Sequence, residues 1–117
     1  MTERFEVLQP GFSVADAEYP NLVLRDDDLV LDFIDWREEV VRVRFKNAAG
    51  VKWQELDLPP HELRDDCVYE VQESLWAAEY LRQGARDERD ALRHFRLGFN
   101  ACGTLEVLAT AMTVEQP

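Results

Sequence analysis

At 117 residues the chain has room for one ordinary domain, and its 46% hydrophobic and 32% charged residues describe a folded globule rather than a disordered chain. Asp and Glu number 24 against 13 Lys and Arg, a formal net charge of -11. Phosphate binding needs a positive field, so no nucleic-acid partner is expected.

The first residues, Met1-Thr2-Glu3-Arg4-Phe5-Glu6, lack the apolar stretch and small-residue cleavage site of a signal peptide. Nothing approaches the run of about 20 apolar residues that spans a bilayer, so no membrane is expected as a partner. The two cysteines, Cys67 and Cys102, have the spacing of neither a redox pair nor a metal knuckle. They read as reduced thiols, which places the protein in the cytoplasm.

Along the chain, Pro10-Gly11 and Tyr19-Pro20 break the first twenty residues. Leu22-Val23-Leu24 is a short apolar run, and Asp26-Asp27-Asp28 reads as a turn. Leu29 to Trp36 is rich in β-branched and aromatic residues and predicts a strand. Val40 to Lys46 predicts a second, with Val41, Val43 and Phe45 on one face and Arg42, Arg44 and Lys46 on the other. With Arg37-Glu38-Glu39 as the link, pairing Trp36 with Val40 keeps the apolar face intact and sets Asp32 opposite Arg44. Asn47 to Gly50 is the next turn, Val51 to Gln54 a further strand, and Pro59-Pro60 a stop.

From His61 to Gly84 two patterns compete. Cys67, Val71, Leu75 and Ala78 fit one long helical stripe. The strand formers from Cys67 to Val71, with Ser74 as an N-cap, fit a strand followed by a short helix Leu75–Gln83, and this reading is favoured. A charged loop covers 84–90. The chain closes with a hairpin of Leu92–Phe99 and Leu105–Val114, in which Phe99 is paired with Leu105. Together these elements predict one α+β domain over 1–117: an antiparallel-dominated sheet of five to six strands with one principal helix packed on one face. Its expected core is Phe33, Val41, Val43, Phe45, Phe95, Leu97, Phe99, Leu105 and Val107.

Val68-Tyr69-Glu70-Val71-Gln72-Glu73-Ser74-Leu75-Trp76, and His94 to Asn100 followed by Gly103 to Ala109, carry a resemblance. In this order they resemble small bacterial α+β domains, including proteins similar to the immunity proteins of contact-dependent and polymorphic toxin systems. The resemblance covers about half the chain, rests on fold signatures, and carries no functional residue over. It implies a strand entering a helix, then a closing hairpin.

Catalytic patterns are weak. Gly98 to Thr104 has the glycine spacing of a phosphate loop but lacks the lysine and the following helix. Neither Ser13 nor Ser74 stands in a nucleophile elbow, and Ser74 reads as a cap. His61 reads as a loop residue and His94 as a histidine on a polar sheet face. Two distant histidines and two distant cysteines make no metal site, and nothing calls for a cofactor. Trp76 should pack the helix on the sheet, Trp53 is placed in the core, and Trp36 is open to either core packing or an interface role.

The leading expectation is therefore a non-catalytic protein-binding module, an immunity-type inhibitor of a basic toxin being the case suggested by the resemblance. Its contacts would be Asp26, Asp27, Asp28, Trp36, Glu38, Glu39, Asp65 and Asp66, since turn carboxylates face solvent. The alternative is a small enzyme or ligand binder using an open sheet face around His94, Arg96 and Glu106. Homodimerisation through that face is a third option.

Overall fold

A computed structural model describes residues 3–55, 66–83, 91–100 and 102–115. The expectations for Pro59-Pro60, His61, Asp65 and the loop 84–90 lie outside them. In chain order the described elements are β1 (Arg4–Val7), β2 (Glu18–Arg25), β3 (Asp28–Ile34), β4 (Val40–Lys46), β5 (Gly50–Gln54), β6 (Val68–Gln72), α1 (Leu75–Arg82), β7 (Arg93–Phe99), β8 (Gly103–Ala109) and β9 (Ala111–Glu115).

The antiparallel pairing and the short helix after Ser74 agree with the sequence reading. The strand number does not. The described residues form nine strands in two sheets, not one sheet of five or six: β1-β6-β7-β8-β5 and β2-β3-β4-β9. Each sheet turns one apolar face inward, and the two faces close on each other as a sandwich. Phe33 meets Phe99 edge-on at 5.3 Å and Phe45 meets Phe95 at 5.9 Å, joining the sheets. All nine residues expected in the core are buried there, with Leu29, Leu31, Val14, Ala17, Val68 and Ala109 added.

The missed division falls within the last predicted strand. Leu105, Val107 and Ala109 face the core, but the inward positions then become Met112 and Val114. The period of two slips by one residue at Thr110, whose amide and hydroxyl both donate to the Lys46 carbonyl. There the chain leaves β8 in one sheet and enters β9 in the other, beside β4.

Both predicted hairpin registers are off by two residues. In β3–β4, Asp32 faces Arg42 and Phe33 faces Val41. Arg42 grips Asp32 through Nε and Nη2 at 2.7 and 3.0 Å, while Arg44 bonds Glu115 and Asp28 instead. In β7–β8, Leu97 faces Leu105 and the ladder runs on to Phe99 and Gly103. A shift of two preserves which face each side chain takes, so the core survived the error and the charge pairs did not. The first shift has a local cause: Asp35 leaves the ladder to organise the connecting loop.

Candidate functional site

The face expected to be open around His94, Arg96 and Glu106 is covered. It is the outer face of the five-stranded sheet, and α1 lies across it. Ser74 caps α1 by accepting the Ala77 N–H at 3.1 Å. The first turn then drops Trp76 onto the sheet. Its ring meets His94 edge-on at 5.2 Å and takes the Lys52 ammonium over its face at 4.1 Å. Gly50 makes room for it, since a Cβ there would stand 2.7 Å from the indole Cζ2. His94 is 6% exposed and Arg96 8%.

Beneath the helix the polar groups form a chain. Ser74 Oγ lies 2.7 Å from His94 Nδ1, and His94 Nε2 lies 2.8 Å from Glu106 Oε1. Arg96 Nη1 approaches the other Glu106 oxygen at 3.7 Å. The His94 hydrogen bond, opposed by burial and aided by Arg96 and Lys52, holds the Glu106 carboxyl below its usual range. Serine, histidine and glutamate in contact invite a comparison with a nucleophile, base and orienter. Two contacts argue against it. The Ser74 oxygen already accepts the Ala77 amide, and the neighbouring Leu75 N–H, a natural oxyanion donor, is taken by the Glu3 carboxylate at 2.8 Å. A carboxylate at that position repels the charge an acyl-transfer transition state develops. The chain instead ties α1 to the sheet. Ser74→Ala is expected to cost about 1–2 kcal/mol, the loss of a helix cap, in urea denaturation; an unchanged midpoint would contradict that role.

The acidic residues expected to form one binding surface are divided. Asp26 and Asp27 occupy the β2–β3 turn, whereas Trp36, Glu38 and Glu39 occupy the β3–β4 loop at the other end of β3. Six steps along β3 at about 3.4 Å each put roughly 20 Å between those ends. Asp28 is engaged by Arg44 Nη1 at 3.1 Å and by the Asn47 amide at 3.1 Å. Glu39 pairs with Arg37 at 3.3 Å. Asp66 accepts from the Cys67 thiol beside β6. Cys67 and Cys102 are not joined in a disulfide.

Trp36 and Glu38, however, join residues the sequence reading missed. The β2–β3 register shifts between Glu18 and Asn21. Within that bulge Tyr19 has φ 56°, a conformation a bulky residue adopts at a cost. Across from it, Asp35 folds the β3–β4 loop. Its Oδ1 accepts the amides of Arg37 and Glu39 at 2.9 and 3.0 Å, and its Oδ2 accepts the Arg37 guanidinium at 3.0 and 3.2 Å. Burial favours the neutral acid, yet these donors outweigh it and hold the Asp35 carboxyl below its ordinary value.

Between bulge and loop lies an open cleft of about 630 Å³, lined by Asp16, Glu18, Tyr19, Ile34, Asp35, Trp36 and Glu38. Tyr19 is 73% and Trp36 62% exposed, so of Trp36's two readings core packing is overturned. Trp53, assigned to the core, is 36% exposed and rests one side of its ring on Phe99 at 6.1 Å. Asp16 is held by Asn100, but Glu18 and Glu38 have no cation partner among the described residues. Two exposed aromatic rings beside two uncompensated carboxylates can take a cation, the rings through their faces and the carboxylates through charge and hydrogen bonds. The sequence signal was Tyr19-Pro20, which marked a break without showing what the break faces.

Compared with known proteins, the chain matches no protein-family model, no curated protein and no solved structure. Among the described residues no helix is long and apolar enough to cross a membrane. The fold itself defines the class: a two-sheet antiparallel β-sandwich with a helix across one outer face.

Proposed function

We propose that the chain is a non-catalytic protein-binding module of the cytoplasm, an immunity-type inhibitor whose partner is a basic protein. The cleft between Tyr19 and Trp36 is the observation that carries this reading. Exposed Tyr and Trp are the residues most often found as interface anchors. Here they stand beside the carboxylates of Glu18 and Glu38, which have no cation partner among the described residues, on a chain of net charge -11. The buried Ser74–His94–Glu106 chain, with its helix cap already in use, supports the non-catalytic side of the proposal.

The test is affinity capture from the native host with the wild-type chain and with Trp36→Ala in parallel, followed by association kinetics. A basic protein should be retained by the wild type and lost with the variant. Its association rate should fall steeply between low and physiological salt, because charges farther apart than about 8 Å are then screened. An acidic partner, or a rate indifferent to salt, would remove the electrostatic case.

A further inference from the structure

Resting on that reading, we infer that the Tyr19–Trp36 cleft recognises an arginine side chain presented by the basic partner, and discriminates against lysine. The chain supplies a precedent within the same loop. The Arg37 guanidinium lies 5.8 Å from the centre of the Trp36 ring while it bonds the Asp35 carboxylate. One planar cation is thus held by an indole and a carboxylate at once. That combination suits guanidinium, which stacks on aromatic faces, is weakly hydrated and presents a fork of donors to carboxylates. An ammonium is a compact, strongly hydrated point charge that matches only the electrostatic part.

The cleft places the Tyr19 ring and the Glu18 and Glu38 carboxylates beside that Trp36–Arg37–Asp35 arrangement, and these added groups are the ones a partner's cation would engage. Tyr19 and Trp36 offer ring surface, and Glu18 and Glu38 offer carboxylates with no cation partner among the described residues. The contrast with the neighbouring strands is direct. There Asp28, Asp32 and Glu115 are each matched by Arg44 or Arg42. The Asp26-Asp27 turn also has no ion-pair partner among the described residues, and Leu24 is an exposed apolar residue beside it. It provides the comparison a purely electrostatic account requires.

The experiment is an NMR titration of the isotope-labelled full chain with a capped Gly-Gly-Arg-Gly-Gly peptide and its lysine and citrulline counterparts. The arginine peptide should move the Trp36 indole N–H and the amides of Glu18, Tyr19 and Glu38. Lysine should bind at least about threefold more weakly, and neutral citrulline should leave those signals in place. Trp36→Ala should reduce arginine-peptide affinity about tenfold, and Glu18→Gln with Glu38→Gln should act in the same direction. These side chains are exposed, so unchanged spectra elsewhere will verify that the variants fold. Equal binding of lysine and arginine, shifts as large at Asp26 and Asp27 as at the cleft, or no response to the arginine peptide would each overturn the inference. These results leave the basic-partner proposal standing, since it falls instead on the capture and salt measurements.

Discussion

Leu97→Ala is expected to lower the melting temperature by about 8–20 °C, since a buried Leu-to-Ala change costs about 2–5 kcal/mol and each kcal/mol shifts a domain of this size by about 4 °C. Leu97 is completely buried at the centre of the five-stranded sheet, with Leu105 opposite it on β8 and Val68 on β6. Its removal leaves a cavity walled by residues of both sheets, which cannot close without drawing the sheets together. Phe45→Ala should be at least as damaging, because Phe45 spans the gap to Phe95. The expected loss is a large share of a total stability of about 5–15 kcal/mol. Thermal melts of both variants unchanged within error would reject the sandwich interior as the core.

The second large effect lies in the loop that builds the cleft. Asp35→Ala should cost about 2–4 kcal/mol, because one buried carboxylate satisfies two loop amides and holds the Arg37 guanidinium. Glu38→Gln on the same loop should stay within about 0.5 kcal/mol, as exposed substitutions usually do. The Asp35 contribution also has a definite pH dependence. Its folded carboxyl titrates below the ordinary value of 3.8, so the unfolded chain takes up the proton first on acidification. The wild type's advantage over Asp35→Asn is therefore fully present above that value and declines as pH falls through the lower folded pKa. Urea denaturation of the pair between neutral pH and pH 3 measures it. An advantage that grows on acidification would contradict the assignment. Asp35→Ala should also disorganise the loop bearing Trp36, linking a stability change to loss of partner binding.

Much of the architecture was written in short-range pattern. Val41, Val43 and Phe45 declare their face because the side-chain period of a strand is two. Ser74 followed by Leu, Ala and Glu marks a capped helix in the same local way. What failed depended on distance. The division into two sheets was present as a phase slip between Ala109 and Met112, but a single long strand absorbed it. The two-residue register errors were invisible to any face-based argument. The β3–β4 register was decided by Asp35 turning inward, and an acidic residue near a turn ordinarily reads as solvated.

The candidate site was half legible for the same reason. Trp36 and Glu38 stand out from the sequence of their own loop. Tyr19, Glu18 and Asp16 belong to a segment about twenty residues earlier, brought alongside by the β2–β3 pairing and aimed by a bulge. Composition treated all carboxylates alike, whereas the fold sorts them. Asp28, Asp32 and Glu39 are neutralised by arginines, Asp35 is structural, and Glu18 and Glu38 have no cation partner among the described residues. Strand alternation puts His94, Arg96 and Glu106 on one sheet face, but whether α1 covers that face is a tertiary fact. Trp76 and the room left for it at Gly50 settle it.

On the proposed reading, the partner engages the Tyr19–Trp36 end of the sandwich. Amide hydrogen exchange on the chain, alone and bound to the captured basic protein, tests it most directly. New protection is expected at residues 18–20 and 35–40, with none at Asp26 and Asp27. Protection centred on the Asp26-Asp27 turn or on α1, with residues 35–40 exchanging as in the free chain, would contradict it.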